Sequence, residues 1–315
     1  MNNYKKANNL IGWIVFGIAT ITYLLTLEPT ASWWDCGEYI ATANKLQVGH
    51  PPGAPLFQLI GRFFSMFAFG SASNMAMMIN VMSALSSSFT ILFLFWSITM
   101  LAKKLFVKEG SKEISESNAW AVFGAGFVGS LAYTFSDSFW FSAVEGEVYA
   151  MSSFLTAVVF WAILKWEQVA DKRSGYRWLL LIAYIVGLSI GVHLLNLLAI
   201  PAIVYVYYYK RFKYSTKGFI AAGAISIVIL AIVMYIIIPW TVSFSGKIEL
   251  FFVNGLGLPF NSGTIFFFLL LIGLIVSGLY YTHKNGKVVF NTIILAFTFI
   301  LIGYSSFAVL VIRAN

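Results

Sequence analysis

Two short stretches hold most of the side chains able to do chemistry. The first is Trp33-Trp34-Asp35-Cys36-Gly37-Glu38-Tyr39, followed by His50-Pro51-Pro52-Gly53-Ala54-Pro55. The second is Asp137 through Tyr149, with Glu145, Glu147 and Tyr149 at its end. Paired carboxylates beside aromatics suit proton transfer, because a carboxylate near indole rings is poorly hydrated and its basicity rises. A helix through 32–46 would put Asp35, Glu38 and Thr42 on one face, with Trp33, Trp34 and Tyr39 at headgroup level. A purely structural account has Asp35 capping that helix, Glu38 solvated and His50 bonded to turn backbone. It gives Glu145 or Glu147 to the positive end of the next helix. A third pair, His193 and Asn196, sits inside a long apolar run, where polar groups mark a pathway, a site or a helix-to-helix bond. Asp35, Glu38, His50, Glu145, Glu147 and His193 could together hold a divalent cation, although no HExxH-type spacing supports one.

These residues must be carried by membrane helices. The chain is 60% hydrophobic and 10% charged over 315 residues, too apolar for a water-soluble core. Soluble nucleotide-binding, barrel and nucleic-acid-binding classes are excluded, and the single Cys36 rules out an internal disulfide framework. The expectation is an all-α polytopic membrane protein with about nine transmembrane helices and interfacial helices in the first outer loop. Apolar runs lie at 10–27, 75–102, 120–135, 148–164, 178–209, 219–240, 265–281 and 288–312. The fifth is too long for one crossing and is read as two short helices turning at 192–196, which makes nine. The segment 56–69 is short and carries Arg62, so it reads as interfacial or re-entrant.

The net charge of +8 is a topology signal. With the N-terminus cytoplasmic, 16 of the 20 Lys and Arg fall on the inner side. That arrangement leaves Lys45, Arg62, Lys247 and Arg313 outside, together with seven of the 12 acids. The first apolar run reads as a retained anchor and the C-terminus as extracytoplasmic. The partners expected are membrane lipid and an external substrate, with no nucleic acid.

Four strings carry a family resemblance: 33–40 (Trp33 to Ile40), 49–56 (Gly49 to Leu56), 144–149 (Val144 to Tyr149) and 187–196 (Gly187 to Asn196). They resemble a bacterial membrane family once catalogued as a domain of unknown function. It is now grouped with protein O-mannosyltransferase-like enzymes of the GT-C type. The resemblance runs from about Trp13 to the end, and implies a single GT-C-like transmembrane domain over 1–315 in a bacterial inner membrane. The family stretch similar to 303–306 and 312–315 normally continues into an extracytoplasmic region. The implied reaction transfers a sugar, mannose by analogy, from a polyprenyl-phosphate donor to an extracytoplasmic protein or glycan hydroxyl. An acid in the first outer loop is the base, and Asp35 is the matching position. In this reading Glu38 assists Asp35, while Glu145, Glu147, Tyr149, His50, His193 and Asn196 bind substrate. Arg313, then His193 and Arg62, would meet the leaving phosphate. The rival is a transporter or flippase of lipid-linked sugar, which would place ionisable groups at the bilayer midplane within internal repeats.

Overall fold

The computed structural model describes residues 3–107, 114–172 and 174–307. Among them every regular element is helical and no strand occurs. This is what a bilayer requires of a chain without barrel patterning, since helices satisfy their own backbone groups. In order these are α1 Tyr4–Leu25, α2 Cys36–Lys45, α3 Pro55–Ser65, α4 Ala72–Phe106, α5 Glu116–Thr134, α6 Asp137–Ala143 and α7 Val148–Val169. They continue as α8 Tyr176–Ile190, α9 Ala199–Arg211, α10 Thr216–Ala231, α11 Ile238–Leu250, α12 Ser262–Lys284 and α13 Val288–Tyr304.

Among the described residues, five helical stretches are long and apolar enough to cross a membrane: α1, α4, α7, the continuous run Thr216–Gly255 and α12. The pair α5 and α6, bent by 69°, would make a sixth, and α8 and α13 are shorter apolar helices. An integral membrane protein is therefore the right class, while these lengths do not by themselves establish the count of nine spans. The fifth apolar run does break where His193 and Asn196 stand: α8 stops at Ile190, a 3₁₀ turn covers Leu194–Leu198, and α9 starts at Ala199.

The run after α9 departs from expectation in the other direction. A span ending at Trp240 and a loop were expected, yet helix continues through Thr241–Leu250. Pro239 lies in the first turn of α11, directly after a π-helical turn at Ile232–Ile237. The wider π turn changes the bonding register ahead of the proline, whose missing N–H therefore does not end the helix.

The chain divides into two compact units. Unit 1 comprises 1–165 with 189–196, and its centre is α4 between α1 and α5. Val15, Ala19, Tyr23, Ala84, Ile91, Phe95, Phe139 and Ala143 form its buried core. Small residues set the spacing: a Cβ on Gly126 would lie 2.6 Å from Thr99 Cγ2 and 2.9 Å from Phe95 Cε2. Close approach through Gly, Ala, Ser and Thr is the usual means of packing helices in lipid. Tyr23 OH donates to the Thr134 carbonyl at 3.0 Å, and Trp140 Nε1 donates to Thr26 Oγ1 at 2.8 Å. Above α4, Asn80 Nδ2 donates to the Glu28 and Thr30 carbonyls, and Glu28 N–H donates to the Val144 carbonyl. These bonds fasten the segment before α2 to the segment before α7, the two that carry the acids.

Unit 2 comprises 166–188 with 197–315. Asp171 is held there by Lys210 Nζ at 2.8 Å and Arg211 Nη1 at 3.0 Å, and Arg211 Nη2 also donates to the Ala170 carbonyl. Hydrogen bonding from Lys210, together with both cations, lowers the Asp171 pKa. A carboxyl depressed on folding adds stability above its unfolded pKa and loses it as pH falls through the folded value. Asp171→Asn is therefore expected to melt below wild type at neutral pH, with the gap closing below about pH 4. A gap that persists unchanged in acid would remove the ion pair as its cause.

Candidate active site

The first acidic stretch folds differently from a helix through 32–46. Trp33 and Trp34 stay outside the helix and are exposed, Trp34 with φ +61°, and α2 begins only at Cys36. Tyr39, on the same side of the chain as Asp35, turns inward. It is buried against Phe57 and His50 rather than lying at headgroup level. Asp35 occupies the N-cap position, yet its side chain makes no capping bond. Its carboxylate, 54% exposed, points toward His50 Nε2 at 3.9 Å.

His50 is fixed by the turn that follows α2. Gly53 N–H donates to the His50 carbonyl at 2.8 Å, with Gly53 at φ +80°, a value that suits glycine. This presents His50 to Glu38 twice: its backbone N–H lies 2.6 Å from Oε1, and its Nδ1 lies 3.0 Å from Oε2. The two bonds, backbone first, lower the Glu38 pKa. An ionised Glu38 can accept from both groups, and the second ring nitrogen, Nε2, faces Asp35.

The second acidic stretch forms the tight turn 144–147 between α6 and α7, closed by Glu147 N–H on the Glu145 carbonyl. Both carboxyls are buried, Glu145 at 3% and Glu147 at 8% exposure. Burial raises Glu145, partly offset by hydrogen bonds from Ser32 and Cys36. Burial, then the charges of Glu145 and Asp35, pushes Glu147 up to about 7. The Cys36 thiol is pushed far up by burial and by both glutamates.

A cleft of ≈ 100 Å³ joins the two stretches. Asp35, Tyr39, His50, Glu147, Tyr149 and His193 line it, and all belong to unit 1. The 191–194 turn reaches this cleft because Leu56 N–H at the start of α3 donates to the Gly191 carbonyl at 2.8 Å. His193 lies against Tyr149, ring centroids 5.3 Å apart, and its Nδ1 accepts from Leu195 N–H at 3.2 Å. Burial lowers the His193 pKa, and in the neutral ring Nε2 then carries the proton as a donor.

Four described sequence candidates are not on the cleft wall, among them Glu38, which meets it through His50. Glu145 is buried behind it. Arg62 is bound to the Asn44 carbonyl and Oδ1 at 2.7 and 3.0 Å. Asn196 is fully buried and accepts from Thr156 Oγ1 at 2.9 Å. Asn196→Ala is expected to lower stability by only about 1 kcal/mol, the net worth of one hydrogen bond, because Thr156 Oγ1 keeps its bond to the Ser152 carbonyl, without changing substrate KM. A raised KM at unchanged melting temperature would instead give Asn196 a substrate. Arg313 lies outside the described residues. Tyr39, Cys36 and Asn80 belong to the site and were not singled out by their residue types. The i, i+4 spacing of Asp35 and Tyr39, and a lone Asn80 in the apolar run of α4, were the available signals.

A larger groove of ≈ 1080 Å³ in unit 2 is mostly apolar. Its one acid, Glu249, is already bonded to the Asn261 and Thr264 N–H groups at 2.6 and 2.8 Å. The smaller cleft therefore gathers more of the groups able to do chemistry.

Residues 35–216, more than half of the chain and including every residue of that cleft, match the family described as protein O-mannosyl-transferase TMEM260 N-terminal domain. The chain belongs to this family. It is 28% identical over 155 residues to protein O-mannosyl-transferase tmem260 of Dictyostelium discoideum, covering 49% of this chain and 17% of that one. It is 25% identical over 177 residues to protein O-mannosyl-transferase TMEM260 of Mus musculus, covering 56% of this chain and 22% of that one. The chain thus matches about a fifth of the length of these relatives. No solved structure matches it.

Proposed function

We propose that the cleft transfers a sugar, mannose by family, from a polyprenyl phosphate to an extracytoplasmic hydroxyl, with Asp35 as general base and inversion at the anomeric carbon. The observation that carries this reading is a half-exposed Asp35 carboxylate without a capping bond, opening on a cleft that lies wholly within the O-mannosyl-transferase family region. In the step, the acceptor O–H gives its proton to Asp35 while its oxygen forms the new bond to C1. The bond from C1 to the phosphate oxygen breaks, and its electron pair leaves on the phosphate. The leaving polyprenyl phosphate is a far weaker base than an alkoxide and needs no general acid, so one carboxylate suffices. Glu38 acts through His50, which it orients toward Asp35. Tyr149 and the His193 Nε2–H line the space where sugar hydroxyls and phosphate would meet neutral donors and an aromatic face, with Glu147 beside them. Glu145 supports this wall from behind.

The test is transfer itself. Membranes containing the full chain, given polyprenyl-phosphate mannose and a Ser/Thr-rich acceptor peptide, are expected to yield α-linked glycopeptide from a β-linked donor. Movement of intact donor into sealed vesicles without any glycopeptide would replace this reading by the flippase one. A product that retains donor stereochemistry would replace the single-step mechanism.

A further inference from the structure

We propose that Cys36, Glu145 and Glu147 bind a zinc ion that ties the start of α2 to the turn between α6 and α7. The Cys36 Sγ and one oxygen of each glutamate lie within 4.8 Å of one another, and all three residues are buried. Tetrahedral zinc, with bonds of about 2.0–2.3 Å, holds its ligands about 3.5 Å apart. Small side-chain rotations close that difference. Among the described residues no Lys, Arg or His pairs with either glutamate.

A second observation points to a ligand rather than to protonation alone. Glu145 Oε2 is buried and has no hydrogen-bond partner, although the carboxyl is bonded by Ser32 and Cys36. Adding a proton to Glu145 removes its charge, but leaves Oε2 unbonded as either donor or acceptor. A metal ion satisfies it. Asn80 Oδ1, fully buried on the other side of the turn, also lacks a partner, while its Nδ2 is spent on the Glu28 and Thr30 carbonyls. A Cβ on Gly146 would lie 2.7 Å from that oxygen, so only glycine lets the turn come so close.

The donor set selects the metal. Calcium and magnesium take oxygen ligands, whereas zinc accepts a thiolate together with carboxylates. Binding displaces the thiol proton and ties two segments that are far apart in sequence. The ion is distinct from the outer trio Asp35, Glu38 and His50, whose ligand atoms also cluster within 4.8 Å. There Glu38 is already occupied by His50.

The experiment measures metal alone, so its failure leaves the transfer reading standing. The full chain, purified in detergent without chelator, is expected to carry about one zinc per molecule. Exchange for Co²⁺ is expected to produce a thiolate-to-cobalt charge-transfer band. Cys36→Ser should abolish the band and Glu145→Gln should lower the zinc content, whereas His50→Ala should keep both. Where Cys36→Ser does not fold, Cys36→Asp supplies an oxygen ligand and should retain the metal without the band. Protein with neither stoichiometric zinc nor uptake from added Zn²⁺ overturns the proposal. So does a metal that survives Cys36→Ser and is lost in His50→Ala.

Discussion

Asp35→Asn and Asp35→Ala should each cut sugar transfer by about a hundredfold to ten-thousandfold, the usual contribution of a positioned base. The loss should appear equally in kcat and kcat/KM, because a base acts in the transition state and adds little to ground-state binding. Protein stability should hardly change. Asp35 is half exposed and makes no capping bond, so its loss falls within the ±0.5 kcal/mol or so typical of surface changes. Neutralising it should also lower the Glu147 pKa, since the Asp35 charge is one cause of its rise. Asn is the more informative variant, because it keeps the shape and hydrogen-bonding reach of the carboxylate while removing its basicity. Wild-type turnover in both variants would take Asp35 out of the mechanism and move attention to Glu147, the other carboxyl on the cleft.

Gly187→Val is expected to be the most damaging single change to folding in unit 2. A Cβ there would collide with the Ile300 carbonyl oxygen and lie 2.9 Å from the Ile300 Cα. From the other side, a Cβ on Gly303 would meet the Tyr184 carbonyl and the Leu188 N. Backbone faces backbone at this crossing of α8 and α13, and backbone cannot rotate away as a side chain does. Overpacking ordinarily costs about 1–3 kcal/mol, and this site belongs at or beyond the upper end. The control is Gly273→Ala in α12, where nothing lies within 4 Å of the added methyl. It should stabilise by up to about 1 kcal/mol, the helix-propensity gain of Ala over Gly. Thermal unfolding of the two variants in detergent gives the comparison, and similar melting temperatures would refute the crossing as a packing constraint.

The parts legible in the sequence were those governed by polarity. Two acidic segments set in an apolar chain named Asp35, Glu38 and Glu147, and one His and one Asn in a 32-residue apolar run marked the break between α8 and α9. What stayed illegible depends on which partners a side chain finds far along the chain. Tyr39 read as an interfacial aromatic beside Trp33 and Trp34, whereas its burial against Phe57 puts it in the cleft wall. Arg62 read as a free cation for phosphate, but Asn44, one helix away, claims its guanidinium. Asn80 looked like a stray polar residue, since its partners lie 50 and 52 residues earlier. The helix beyond Trp240 was hidden by Pro239 and by Thr, Ser and Gly residues that ordinarily signal a loop.

The unbroken helical path from Thr216 to Gly255 has a consequence for depth. Forty residues at about 1.5 Å each measure about 60 Å along the axis. Hydrocarbon is only about 30 Å thick, and even a steep lean of about 40° accommodates about 39 Å, or some 26 residues. More than a dozen residues must therefore stand clear of the lipid tails. With the end at Lys217 kept at one surface, the emergent portion carries Lys247, Glu249 and Asn254, the polar residues of its far end. The oily groove beneath Glu249 would then open at the boundary between lipid and water, like a slot cut into the base of a mast.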